Sequence, residues 1–208
     1  MTKPCRAPDP DPKTPKFKLP ANATDAHCHI FGPAAQYPYA EDRTYTPPDA
    51  GLDKFKALQK ILGLTRAVIV NASCHGVNNA PIIDAIAQSE GCYRGVANID
   101  KSFDEKAIEK LDSQGIRGCR FNFVRHLGGV PDMDEFHLII NRIKQFNWHV
   151  VMHFDAIDLV GHEKLLDGLP IPYIIDHMGR VPAKDGLEQK PFQILLEFAR
   201  RDNCWIKV

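Results

Sequence analysis

From residue 24 onward, short apolar runs alternate with amphipathic stretches, and this order restricts the fold more than any other feature of the chain. Runs that are rich in Val, Ile or aromatic residues and flanked by turn residues predict seven strands, at 24–31, 67–72, 93–99, 116–123, 149–154, 173–177 and 204–208. Apolar residues at helical spacing predict helices between them, at 54–62, 81–87, 105–111, 136–143 and 192–198. Repeated strand–helix units predict a parallel sheet, because each helix returns the chain to the same end of the sheet.

A parallel sheet of this kind closes in one of two ways, as an open doubly wound sheet or as an eight-stranded barrel. A dinucleotide-binding sheet carries a glycine-rich turn after its first strand. Here that segment reads HCHIFGP, and Pro33 obstructs a loop that would hold phosphate. The alternation alone therefore leaves both forms of closure open.

Histidines at the ends of three predicted strands favour the barrel. His27 and His29 are two residues apart and so point to the same side of strand one. His153 ends strand five and His177 ends strand six. In β/α barrels the carboxyl ends of the strands form the active site, so we expect these four side chains to converge there. An isolated pair would equally suit structural histidines. The remaining histidines fit no such pattern and are expected at the surface or in the core: His75, His126, His137, His149 and His162.

The expected fold is therefore an α/β protein of the TIM-type (β/α)8 class, with a barrel domain over 21–208. Only seven strands can be drawn, and we expect the barrel to be truncated after the seventh. Residues 1–20 contain six prolines and are expected to form an extended tail on the domain surface.

Charge and composition exclude several classes of partner. Lys+Arg and Asp+Glu both number 26, which gives no reason to expect nucleic acid or an anionic membrane. No apolar run approaches the roughly 20 residues of a membrane span, and the first 20 residues lack the apolar core of a signal peptide. The six cysteines form no CxxC pair, so we expect reduced thiols and a cytosolic protein. The oligomeric state stays open.

Four sequence blocks carry a resemblance to a known family. They are TDAHCHIFGP on strand one, NASCHG after strand two, RGCRFNF on strand four and IDHMGR on strand six. Together they resemble the amidohydrolase superfamily, and more narrowly the branch of 2-pyrone-4,6-dicarboxylate lactonase and related lactonases. The resemblance implies a hydrolase that opens a small carboxylated lactone, of the pyrone dicarboxylate or muconolactone type, in the breakdown of aromatic compounds.

The same resemblance implies roles for the histidines. The superfamily places HxH on strand one, one His on strands five and six, and an Asp on strand eight that deprotonates water. His27, His29, His153 and His177 match the first four positions, and the Asp has no counterpart before Val208. We therefore expect this chain to bind substrate and barely to turn it over. His177 would polarise the lactone carbonyl.

Metal content is left open by the resemblance. The pyrone dicarboxylate lactonase uses no metal and has a Tyr at the strand-five position, where this chain has His153. Three imidazoles suit zinc with an open position for water, and zinc makes hydroxide available near neutral pH. The expectation is either one divalent ion, such as zinc, on His27, His29 and His153, or no metal.

Substrate carboxylates are expected to meet the end of strand four. Arg120 matches a substrate arginine of the lactonases, and Asn122 shares its face of the strand. Guanidinium groups bind carboxylates through paired hydrogen bonds. Arg125 falls one position from a second such arginine, which His126 replaces, and could equally be a solvated loop residue. Three further loop residues are weaker candidates for substrate contact: Ser73, Tyr45 and Arg180.

Two alternatives to lactone hydrolysis remain. One is another reaction of the same superfamily, such as hydrolysis or isomerisation of a sugar-acid lactone, or decarboxylation. The other is a binding protein that keeps the pocket without catalysis.

Overall fold

The structure is a computed structural model that describes residues 3–208. These residues group into two compact units. The first comprises the described residues up to Asn98 together with Lys110–Ile116, and the second comprises Ile99–Glu109 and Arg117–Val208.

The first unit contains three parallel strands in the order β1–β2–β3, with β1 at Thr24–Cys28, β2 at Arg66–Val70 and β3 at Tyr93–Ala97. Helix α1, Leu52–Leu62, connects β1 to β2, and α2, Ala80–Ala87, connects β2 to β3. The consecutive residues Ile69 and Val70 of β2 are fully buried, as are Val96 and Ala97 of β3, which is typical of parallel strands that are covered on both faces.

Four parallel strands follow in the order β4–β5–β6–β7. Their bounds are Ile116–Asn122, His149–His153, Tyr173–Ile175 and Cys204–Ile206. Helix α3, Glu105–Ser113, precedes β4 in sequence. Four helices lie between the later strands: α4 at Met133–Ile143, α5 at Ala156–Leu159, α6 at Glu163–Asp167 and α7 at Lys190–Phe198. Trp148, Tyr173 and Phe123 are fully buried in this unit.

Gly118 of β4 lies directly against His149 of β5. A Cβ atom at this position would lie 2.6 Å from the carbonyl oxygen of His149 and 2.8 Å from its ring nitrogen Nε2. A side chain at position 118 would therefore overlap the neighbouring strand, and its absence leaves room for the His149 ring against the sheet.

The predicted strands and helices are all present, but the predicted strand ends are wrong. Each strand ends one to three residues earlier than predicted, so that His29 lies beyond β1 and His177 beyond β6. The register between β1 and β2 shifts after Asp25, and the four residues from His177 to Arg180 adopt left-handed backbone angles. The predicted strands were too long because, at several strand ends, apolar residues continue beyond the last hydrogen bonds of the sheet. The short helices α5 and α6 were not predicted.

Part of the N-terminal segment forms a short strand pairing. Lys3–Pro4 pairs in parallel with Tyr45–Thr46. Residues 1 and 2 of the predicted tail lie outside the described part, and the domain boundary at residue 21 stays a prediction. Among the described residues, no helix is both long and apolar enough to cross a membrane.

All six cysteines are free thiols, as expected. Cys74, Cys119 and Cys204 are buried, whereas Cys5 and Cys92 are exposed.

Candidate functional site

His27 and His29 come together at the carboxyl end of β1. Their Nε2 atoms are 3.3 Å apart, and the two rings meet edge to face. The Nδ1 atom of His29 lies 2.8 Å from the carbonyl oxygen of Val70 at the end of β2. A carbonyl only accepts, so Nδ1 of His29 carries the proton and its Nε2 presents a lone pair.

This arrangement suits a cation. Histidine ligands of metal ions commonly donate the other ring N–H to a carbonyl or carboxylate, which fixes the ring and its tautomer. His29 has that arrangement, and the adjacent His27 supplies a second nitrogen. The donor set of the first unit therefore fits a divalent ion such as zinc.

Ser73 and Tyr45 also meet in the first unit. The Ser73 hydroxyl is 3.3 Å from the Tyr45 hydroxyl, and both side chains are half-buried. Burial raises the pKa of Tyr45 above its ordinary value. Burial likewise raises the pKa of the neighbouring Cys74 to about 11, so this thiol stays protonated at neutral pH. The pair can donate hydrogen bonds to a ligand oxygen.

In the second unit a buried ionic cluster joins β4, β6 and β7. The Nε atom of Arg120 donates to Asp176 across 2.8 Å, and the Lys207 ammonium lies 3.2 Å from the other carboxylate oxygen. The Asp176 side chain is 0% exposed, Arg120 is 5% and Lys207 is 13% exposed. Two cations thus face one anion, and the cluster carries a formal charge of +1 in a region shielded from water.

Lys207 is a member of this cluster that the sequence did not suggest. Ile175 pairs with Ile206 across β6 and β7, so the residues that follow them, Asp176 and Lys207, lie side by side. Strand register is the signal that could have revealed it. Asp176 is thus the anion that both cations share.

His153 lies against this cluster at the end of β5. Its Nδ1 atom is 3.0 Å from Nη2 of Arg120 and 3.0 Å from the side-chain oxygen of Asn122. Its Nε2 atom is buried and has no hydrogen-bond partner among the described residues. Leaving a buried polar group in this state costs about 1–3 kcal/mol, which a ligand oxygen would recover. The ring of His177 packs edge to face on it, with centroids 5.2 Å apart.

The chain leaves β6 through a strained turn. His177, Met178, Gly179 and Arg180 all have positive φ, between 51° and 59°. Non-glycine residues seldom adopt this region, and such strain collects at functional sites. The amide of Met178 donates to the carbonyl of Lys207 across 2.8 Å and holds the turn. The turn presents the His177 side chain to solvent.

The remaining candidates lie at the surface. Arg125 is exposed in a short 3-10 turn after β4. Arg180 is exposed and forms an ion pair of 2.7 Å with Asp155. The structure thus brings together His27 with His29, Ser73 with Tyr45, and Arg120 with Asn122, His153 and His177. That all four histidines act on one ion or substrate stays a prediction.

Two of the histidines should make stability depend on pH. Burial, followed by the nearby Lys207, lowers the pKa of His149 to about 4. Burial, followed by Arg120, lowers the pKa of His153 to about 3. In the unfolded chain both titrate near their usual pKa of about 6.5, so below that pH the unfolded state binds more protons. We expect the free energy of unfolding to fall as the pH drops below about 6.5, by up to about 1.4 kcal/mol per pH unit for each histidine.

Urea unfolding between about pH 7 and about pH 5 measures this slope, in a range where most carboxyl groups stay ionised. His149→Gln should reduce the slope, whereas His137→Gln, at an exposed histidine of α4, should not. A slope that stays the same in His149→Gln would show that this ring is not excluded from protonation.

Known proteins resemble this chain in both sequence and fold. The amidohydrolase family model matches residues 24–208. A 2-pyrone-4,6-dicarboxylate hydrolase of Comamonas testosteroni is 42% identical over 95% of this chain and 65% of its own length. A 4-sulfomuconolactone hydrolase of Rhizobium radiobacter is 37% identical over 99% of this chain and 69% of its own length. The chain thus spans about two thirds of the length of these relatives.

A solved structure agrees with the fold. A probable 2-pyrone-4,6-dicarboxylic acid hydrolase from Acinetobacter baumannii, crystallised with citric acid bound, superposes with a TM-score of 0.79 at 28% identity. The match covers 90% of this chain and 70% of that one. The TIM-type α/β class predicted from the sequence and the family resemblance are both confirmed.

Proposed function

Since the chain belongs to the amidohydrolase family, we propose that it is a hydrolase that opens the ring of a small carboxylated lactone in the breakdown of aromatic compounds. The supporting relatives carry the names of hydrolases for a pyrone dicarboxylate and for a sulfomuconolactone, both of them anionic ring esters. The chemistry is addition of water to the lactone carbonyl carbon, followed by cleavage of the ring C–O bond and protonation of the ring oxygen.

The ionic cluster of Arg120, Asp176 and Lys207 is the observation that carries this proposal. Its formal charge of +1 is buried, where Coulomb attraction is much less screened than in water. A carboxylate or sulfonate on the substrate would neutralise that charge. The bound citric acid in the Acinetobacter baumannii relative supports a preference for carboxylates.

Arg120 is the group best suited to hold a substrate anion. Two of its N–H groups are directed to Asp176 and His153, so the guanidinium plane is fixed before any ligand arrives. The guanidinium carries further N–H donors that can pair with a carboxylate. Ser73, Tyr45, Asn122 and Arg125 are the proposed additional contacts.

His27 and His29 are the proposed holders of a divalent ion, which when bound supplies a water of lowered pKa. The tautomer of His29, fixed by the carbonyl of Val70, supports this assignment. The proposed role of His177 is to donate to the lactone carbonyl oxygen as negative charge develops there. Pre-placed donors of this kind usually provide a large part of the rate enhancement.

The test is binding and ring opening of a carboxylated lactone. We expect 2-pyrone-4,6-dicarboxylate or 4-sulfomuconolactone to bind in calorimetry and to lose its ring absorbance faster than in buffer. The neutral dimethyl ester of the pyrone is the matched control and should bind far more weakly, because it cannot neutralise the cluster.

The other outcomes of this test distinguish the alternative functions. Binding without ring opening would support a non-catalytic binding protein. Turnover of D-galactarolactone alone would support a sugar-acid lactone reaction, the activity named for a relative in Agrobacterium fabrum that is 26% identical. Failure of every anionic lactone to bind would refute the proposed function.

The cytosolic location inferred from the free cysteines is part of the proposal.

A further inference from the structure

We propose that Arg120 holds His153 as the tautomer with the proton on Nε2, so that His153 donates a hydrogen bond to an anionic ligand oxygen and does not ligate a metal ion. The resemblance had made His153 a candidate zinc ligand together with His27 and His29. The contacts of its ring oppose that role.

The argument begins with the two neighbours of Nδ1. Nη2 of Arg120 and the side-chain oxygen of Asn122 both lie 3.0 Å from this atom. A guanidinium can only donate, which requires a lone pair on Nδ1, whereas an amide oxygen only accepts, which requires a proton there. Nδ1 cannot satisfy both at once.

The arginine decides between them, because it cannot adjust and the asparagine can. Arg120 is fixed by the 2.8 Å bond from its Nε to Asp176, and its side chain is 5% exposed. The amide of Asn122 presents a donor in place of its oxygen after a half turn about its last side-chain bond, with almost no change of shape. Nδ1 therefore keeps its lone pair and the proton of the neutral ring lies on Nε2.

A protonated Nε2 cannot bind a metal ion, since the lone pair is absent. His29 shows the opposite arrangement in the same chain: its Nδ1 faces the carbonyl of Val70 at 2.8 Å, which leaves the lone pair on Nε2. A metal ligand also gains basicity from an acceptor behind it. Behind His153 lies a cation, which withdraws electron density from the ring.

An anionic oxygen is the ligand that this N–H fits. Nε2 is buried without a partner among the described residues, in a side chain that is 5% exposed. The neighbouring cluster of Arg120, Asp176 and Lys207 carries the charge that attracts such an oxygen. The donor role thus deepens the proposed function and rests on it, whereas the tautomer does not.

Nitrogen NMR of the ¹⁵N-histidine-labelled protein tests the tautomer directly. Long-range proton–nitrogen correlations distinguish a ring protonated on Nε2 from one protonated on Nδ1. We expect His153 to be protonated on Nε2 and His29 on Nδ1, with the signals assigned from the His153→Gln and His29→Gln variants. A spectrum with His153 protonated on Nδ1 would overturn the proposal.

The Arg120→Met variant tests the cause. Without the guanidinium, Nδ1 is free to donate to Asn122, so the proton of His153 should move to Nδ1. Arg201→Met is the matched control, because this arginine belongs to an exposed ion pair with Asp167 and should leave the His153 signal unchanged. If Arg120→Met does not fold, the wild-type spectrum still decides.

Zinc titration gives a second readout that does not depend on turnover. His153→Gln should leave the zinc affinity unchanged, whereas His29→Gln should weaken it by about tenfold or more. Equal losses in the two variants would refute the inference. If the chain takes up no zinc, the tautomer spectrum alone decides. A chain that opens no lactone but has the expected tautomer would refute the proposed function and leave the tautomer assignment intact.

Discussion

Asp176→Asn is expected to lower the free energy of unfolding by about 3–5 kcal/mol. The amide has nearly the shape of the carboxylate, so the change removes charge and little else. It leaves Arg120, which is buried, and Lys207, which is largely buried, without the anion that they share. Folded domains have only about 5–15 kcal/mol of net stability, so the variant should unfold at a much lower urea concentration than the wild type.

The chain offers a control of the same chemistry at its surface. Asp167 and Arg201 also form an ion pair, but their side chains are 50% and 36% exposed. Exposed pairs contribute about 0–1 kcal/mol, so Asp167→Asn should scarcely change the urea midpoint. Should the two substitutions prove equally mild, the cluster would have to be hydrated and its proposed attraction for anions would fail with it.

A double variant separates charge from packing. Adding Arg120→Met to Asp176→Asn removes one of the two stranded cations and should recover part of the lost stability. A sum of the two single effects, without recovery, would show that the residues do not interact. If Asp176→Asn alone is insoluble, recovery of soluble protein in the double variant gives the same answer.

His29→Ala is expected to reduce the rate of lactone opening by about 10²-fold or more, because it removes a nitrogen that is already oriented for a cation. The Val70 carbonyl fixes this ring, and Nε2 of His27 lies 3.3 Å from its Nε2. Both kcat/KM for the pyrone dicarboxylate and the zinc content of the purified protein should fall. Where the wild-type rate is close to the buffer rate, the zinc content carries the test.

His137→Ala provides the comparison, because this histidine is exposed on α4 and has no part in the proposed chemistry. Its kinetics and metal content should match those of the wild type. Full activity and full zinc content in a folded His29→Ala protein would remove the first unit from the proposed mechanism.

The sequence predicted the strand positions well, most securely where the strand interior is buried and apolar. Val150 and Val151 are fully buried in β5, and Ile69 is fully buried in β2. Strand ends were harder, since the backbone leaves the sheet where the loops begin and apolar residues continue past that point. The strand predicted at 173–177 included Asp176 and His177, although the backbone leaves the sheet after Ile175.

Residue types and spacing were enough to propose the candidate site, but not to find the hydrogen-bond and ion-pair partners of its residues. The spacing of His27 and His29 was sufficient to place both rings on one side of the strand. The acceptor that sets the tautomer of His29 is a backbone carbonyl, and residue type does not reveal which carbonyl lies near a side chain. Arg120 was expected to meet a substrate carboxylate, but its partner Asp176 lies 56 residues away in the chain. Only strand register brings the two together.

The left-handed turn after β6 has a consequence for how this protein can vary. In most positions a change to glycine loosens the fold, but at Met178 and Arg180 glycine would relieve a backbone angle that other residues adopt reluctantly. Branched side chains such as Val or Ile would meet the greatest resistance there. We therefore expect this turn to accept glycine at either position more readily than any larger residue, without a change in the strands that it follows.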